Sequence, residues 1–150
     1  MKSTRRIVRL ALGVATGVAL ALSGALPASA ATTEATAFSS ETTDTWTVQD
    51  INQRICVTSR SGHPSTYFLV PVYGSWSTTL TTGIRNLPPG ATSSGGTPIS
   101  PGSNYGPTVL GFVQLSVPPL PVGVYAAEVW ASDGTETHSA PATINVQENC

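Results

Sequence analysis

Proline and glycine punctuate this chain too often for a helix to run. The 150 residues hold 14 Gly and 12 Pro, and from Trp46 onward these recur every few positions with β-branched residues between them. Pro fixes φ and removes a backbone donor, while Val, Ile and Thr suit a pleated strand. Turn signals this closely spaced predict an all-β sandwich of about seven short antiparallel strands.

The strands can be placed from the runs between turns. Residues 46–51 and 53–59 come first, followed by a turn at Gly62 and Pro64. Residues 67–73 form the most apolar run and are expected to be a central strand, with Pro71 marking a bulge or an edge near its end. Residues 75–82 alternate Trp76, Thr78 and Leu80, and Trp76 reads as core. Residues 108–117 follow. Residues 124–132 and 135–138 read as a hairpin about a two-residue Asp133-Gly134 loop, the preferred type I′ turn, which pairs Ser132 with Thr135. In that hairpin Tyr125, Ala127, Val129 and Ala131 share the core face, and Glu128 and Trp130 share the outer one. Residues 143–147 close the domain. Between the strands lies a long Pro/Gly/Ser/Thr segment, 86–107, and long loops in compact domains are functional or passive connectors.

Residues 1–30 carry an address. Lys2, Arg5, Arg6 and Arg9 precede a run of Ala, Val, Leu and Gly from 10 to 26, and Ala28-Ser29-Ala30 supplies a small-x-small cleavage site. That order of features is a secretory signal peptide. The apolar run falls short of the roughly 20 residues a spanning helix needs, and no second run follows it. The paired arginines leave ordinary and twin-arginine export both open. Residues 31–45 have nothing to bury and are expected to be a disordered Thr/Ser/Ala leader. The domain proper is therefore 46–150.

Cleavage changes the charge. Three arginines (Arg54, Arg60, Arg85) remain against eight carboxylates, net −5, with no lysine. Phosphate recognition needs clustered Lys or Arg, so nucleic acid and anionic membranes are poor partners. Cys56 and Cys150 are the only cysteines, and an even pair in an exported protein reads as a disulfide. Closing a loop of roughly 100 residues is worth about 4–5 kcal/mol of chain entropy.

Two resemblances follow from particular residues. The series Asn86-Leu87-Pro88-Pro89-Gly90, Gly96-Thr97-Pro98, Gly123-Val124-Tyr125 and Asp133-Gly134 resembles the immunoglobulin-like modules of bacterial surface proteins, and Tyr125 after a Gly turn resembles their tyrosine corner. The whole mature chain is similar to small secreted actinobacterial proteins gathered as a domain of unknown function, through Arg54-Ile55-Cys56-Val57, Tyr67-Phe68-Leu69-Val70-Pro71-Val72, Gly74-Ser75-Trp76-Ser77 and Cys150. The first resemblance implies an immunoglobulin-like sandwich. The second implies secretion and a shared disulfide, and no activity.

No motif carries catalysis. Ser, His and Asp occur in no recognisable arrangement, and no nucleophile elbow is present. His63 and His138 read as a turn and a strand histidine. Glu128 and Glu136 do not face one another in the expected hairpin, so paired-carboxylate chemistry is unsupported. No cofactor and no metal site are expected. The leading expectation is a monomeric extracellular module that binds a glycan or a protein. Its candidate surfaces are the Trp130 face beside Glu128, because exposed aromatics can stack on sugar rings, and the 86–107 segment with Arg85, Asn104 and Tyr105. The alternatives are a small secreted enzyme inhibitor or hydrolase, and a structural accessory of the cell surface.

Overall fold

The computed structural model describes residues 44–150. The expected signal peptide and nearly all of the expected leader lie outside the described residues. Within them the chain forms ten strands and no helix: β1 (Thr45–Val48), β2 (Gln53–Thr58), β3 (His63–Val70), β4 (Val72–Trp76), β5 (Thr81–Arg85), β6 (Thr92–Gly96), β7 (Gly102–Asn104), β8 (Gly111–Val117), β9 (Gly123–Ser132) and β10 (Thr137–Gln147). They pair as β2-β10-β9-β5, β3-β8-β6 and β1-β4-β7. β3 and β4 are one run of chain broken only at Pro71, whose carbonyl accepts the Gln49 N–H at 2.9 Å.

Read in chain order, β3-β8-β6 has the B-E-D arrangement and β5-β9-β10 the C-F-G arrangement of an immunoglobulin-like sandwich. β2 lies parallel beside β10, from Gln53↔Ala142 to Thr58↔Gln147. The side-chain period of two builds the core. Phe68 and Val70 of β3, Val113, Leu115 and Val117 of β8, Val129 and Ala131 of β9, and Ile144 and Val146 of β10 are all buried. The expected face assignment in β9 holds: Ala127, Val129 and Ala131 are buried, and Tyr125 packs against the core. Tyr125 also donates its hydroxyl to the Pro121 carbonyl at 3.0 Å, closing the corner its position foretold. Trp76 is core, and its indole donates to the Ser100 carbonyl at 2.8 Å. Gly74 holds φ 114° where a Cβ would collide with the Thr45 carbonyl, so β1 can cross β4 closely only over a glycine.

Several expectations change in detail. The strand count rises from about seven to ten because the 86–107 segment contains β6 and β7, and because Pro71 splits the run at 67–73. That run is not central. β3 sits at the edge of its sheet, and its apolar residues on both sides imitate a doubly buried strand. The strands expected at 135–138 and 143–147 are one strand, β10. The Ser59 N–H to Gln147 carbonyl bond sets the alternation along β10. It turns the donor-less nitrogen of Pro141 toward the β2 side, where pairing starts only at Ala142.

The hairpin loop has four residues, not two. Ser132 pairs with Thr137, because the Asp133 carboxylate accepts the N–H groups of Thr135 and Glu136, both at 2.7 Å. Those bonds hold its pKa below the ordinary value, the Glu136 N–H contributing most. The shift is by two residues, so every side chain keeps its face.

Candidate functional site

The sequence-predicted residues fall into two separate groups. On the outer face of β5-β9-β10, Arg85 stands opposite Glu128 and Gly83 opposite Trp130. Arg85 Nε donates to Glu128 Oε2 at 2.6 Å, and Ser139 Oγ donates to Glu128 Oε1 at 2.6 Å. The Asn86 amide reaches the same carboxylate at 3.5 Å. Arg85 and Ser139 hold the Glu128 carboxyl down at about 2, Arg85 contributing most, and the carboxylate in turn raises the guanidinium. Charges satisfied in this way are held in place and compensated, and an exposed pair adds little to stability. Trp130 is half-buried because its ring lies across Gly83, where a Cβ would come within 2.4 Å of Cζ2. Arg85 therefore belongs with Glu128 and Trp130, and not with the long segment where the sequence had grouped it.

Asn104 and Tyr105 lie on the other layer. Asn104 ends β7, donating its side-chain amide to the carbonyls of Val72 at 2.9 Å and Thr108 at 2.7 Å and accepting the Gly106 N–H at 3.1 Å. Those bonds fasten the loop to β4 and leave the amide no free donor. Tyr105 is 64% exposed and meets Tyr73 edge-to-face, with ring centroids 5.6 Å apart.

A second exposed aromatic pair lies on neither expected face, and this one borders a groove. On the outer side of β3-β8, Tyr67 (57% exposed) and Phe112 (44% exposed) meet edge-to-face at 6.3 Å. They border a groove of about 480 Å³ whose floor and walls are Leu69, Leu110, Val109, Thr97 and Gln114. Among the described residues no charged side chain lines it. The signal was present in the sequence. Phe68 and Val70 point inward, so Tyr67 and Leu69 must point outward; Val113 and Leu115 point inward, so Phe112 must point outward. In β8 the polar Gln114 and Ser116 mark the outer set that Phe112 shares, but in β3 both alternating sets are apolar, so parity alone did not say which of them faced solvent.

The remaining candidates are dispersed. His138 lies 3.4 Å from Glu136 and edge-on to the Trp46 ring at 4.6 Å. The Trp46 indole donates to Asp133 at 3.3 Å. Among the described residues, no hydroxyl is hydrogen-bonded to either histidine, so neither is set up to activate a nucleophile. Cys56 and Cys150 are bonded, with Cα atoms 5.8 Å apart, and both are exposed at the outer face of β2. Among the described residues no helix is long and apolar enough to cross a membrane.

Fold and surface together define a disulfide-closed, immunoglobulin-like β-sandwich with an aromatic groove on the outer side of β3-β8. The chain belongs to a family of unknown function, DUF5980, whose model matches residues 47–148. No curated protein matches it in sequence. Among solved structures it is similar to a chimeric titin Z1Z2 functionalized with a KLER exogenous peptide from decorin, at 14% identity and a TM-score of 0.41. That match covers 71% of this chain and 49% of the titin chimera, so the chain spans about half of that protein's length.

Proposed function

We propose that the protein is a secreted binding module that holds a neutral glycan against the Tyr67–Phe112 face. One observation carries this reading: two exposed aromatic rings, set edge-to-face, border a groove that no charged side chain lines. Sugar rings offer apolar C–H faces for stacking and hydroxyls for hydrogen bonding. Gln114, Thr97 and Tyr67 are among the lining residues, and their amide and hydroxyl groups would supply the matching polar contacts. An uncharged lining suits an uncharged ligand, since a fixed charge on the ligand would lose its hydration here without a partner. Export is supported by the signal pattern of residues 1–30 and by the disulfide.

This reading moves the ligand from the Trp130 face to the opposite layer, and the two are separable. Retention on insoluble neutral polysaccharides, measured as depletion from solution, is expected for the parent protein. Phe112→Ala is expected to weaken it about tenfold, the scale of one central aromatic contact. Trp130→Ala is expected to leave it unchanged. Retention that survives Phe112→Ala and disappears in Trp130→Ala would return the site to the β5-β9-β10 face.

A further inference from the structure

The free edge of β3 carries an unusual device. The side-chain amide of Gln53 donates to the Leu69 carbonyl at 2.8 Å and accepts the Leu69 N–H at 2.8 Å. A neighbouring strand would make the same two bonds. Leu69 thus turns its backbone groups away from β8. In an antiparallel ladder the direction alternates, so Tyr67, two residues earlier, turns its N–H and C=O the same way. β8 agrees: the carbonyls of Phe112 and Gln114, the register partners of Leu69 and Tyr67, point away from β3. They accept from the Thr97 N–H at 2.9 Å and the Ser93 hydroxyl at 2.7 Å. Among the described residues nothing takes the place of Gln53 at Tyr67.

These groups open into a cleft of about 330 Å³ between β2 and β3, lined by Gln53, Arg54, Ile55 and residues 66–69. The alternation set along β2 by the Ser59 N–H to Gln147 carbonyl bond turns the backbone of Arg54 to the free edge of β2. The Arg54 guanidinium is exposed, touches the Asn52 side-chain oxygen at 3.0 Å, and has no carboxylate partner among the described residues.

We infer that the β2–β3 cleft accepts an extended peptide that adds a strand to β3 at Tyr67, with an acidic side chain facing Arg54. Main-chain bonds to Tyr67 supply the affinity, alternate side chains rest on Ile55 and Leu69, and the carboxylate selects. The site uses the backbone of Tyr67 and not its ring, and although Leu69 lines both grooves, the bonds that define this one do not depend on the glycan reading. Phe112→Ala, which tests that reading, leaves this edge intact.

Because strand addition depends mainly on backbone bonding, a generic strand is a fair probe. An alternating Thr/Val heptapeptide with a central Glu is titrated to millimolar into the isotope-labelled, oxidised protein, beside its central-Lys counterpart, with the backbone amides followed by NMR. The expected result is a saturable shift of the Tyr67 amide with the Glu peptide and about threefold weaker binding of the Lys peptide, a difference that Arg54→Gln removes. Tyr67→Pro, which deletes the donor together with its own amide signal, is expected to abolish the peptide-induced shifts of the neighbouring Thr66 and Phe68 amides. Gln53→Ala serves where that variant does not fold: it frees Leu69, and the shifted amides should then extend to Leu69. No shift with either peptide overturns the inference, and so does equal binding of both. Broadening of the Tyr67 amide with rising protein concentration and no peptide would put a second copy on the edge, which overturns the peptide assignment.

Discussion

Gly83→Ala tests the packing of the outer face of β5-β9-β10 with two opposing terms. Gly83 has no left-handed φ, so its backbone accepts an alanine, and the loss of unfolded-state freedom alone would stabilise by about 0.5–1 kcal/mol. The added Cβ, however, would lie 2.4 Å from Cζ2 and 2.5 Å from Cε2 of Trp130, well inside contact distance. An indole has no flexible end to fold away. Either β5 shifts or the ring lifts into solvent, and overpacking of this kind costs about 1–3 kcal/mol. The steric term wins, leaving Gly83→Ala destabilised by about 1 kcal/mol, a fall in Tm of roughly 4 °C or more for a domain of this size. In a Trp130→Ala background the clash is absent and only the entropy term survives, so the same substitution should stabilise. Thermal unfolding of the four proteins in the cycle reads this sign reversal directly. Acrylamide quenching adds a second readout, since Trp46 and Trp76 are buried and Trp130 is the accessible indole. If Gly83→Ala stabilises the parent as well, the ring does not occupy the space above Gly83 and the account of this face is wrong.

Three further outcomes are expected. Cys56→Ser with Cys150→Ser removes a cross-link spanning 94 residues, which by chain entropy is worth about 4–5 kcal/mol, and guanidinium unfolding should show a loss of that order. Because both cysteine residues are exposed, mild reductant should open the bridge without prior unfolding, giving a thiol release rate independent of denaturant at low concentration. Glu128 titrates at about 2 when folded against an ordinary value of 4.5, so its contribution is complete above 4.5 and is lost as pH falls toward 2. Urea midpoints across that window should fall less steeply in Glu128→Gln than in the parent, and the difference should shrink in high salt because the pair is exposed. Tyr125→Phe deletes the hydroxyl bond to Pro121 and is expected to cost about 1 kcal/mol, read as a shifted midpoint with an unchanged denaturant slope.

The sequence made the fold class legible through turn chemistry and parity, and it failed where one residue type has two uses. The core faces of β8 and β9 follow from alternation, and the corner at Tyr125 follows from Gly123. The hairpin length did not follow, because Asp133-Gly134 suits a two-residue loop until the Asp133 carboxylate finds the N–H groups of Thr135 and Glu136. The runs at 135–138 and 143–147 read as two strands, and only the direction of the Pro141 nitrogen, a property of pairing, lets β10 run through both. Of the candidate site residues, Trp130 and Glu128 could be placed together by parity, but the partnership of Arg85 with Glu128 depends on which strand lies beside β9. That β5 fills the place is a fact of topology, and no local signal carries it.

β3 brings these ambiguities together. Its inner side chains fill the core, its outer ones leave Tyr67 exposed, and its free edge is paired at Leu69 by a side chain instead of a strand. An edge strand with apolar residues on both faces is a liability, since it invites pairing with other chains. Charge or Pro at Tyr67 would suppress that hazard, yet the strand keeps an aromatic there and Phe112 beside it. Gln53 answers the hazard at one residue only, Leu69, and leaves the backbone of Tyr67 open. Structural need does not explain either feature, since the core is complete without the Tyr67 ring and the sheet is complete without its N–H. Both features become intelligible if this layer of the sandwich is the one that meets ligands, through the aromatic face and through the strand edge beside it.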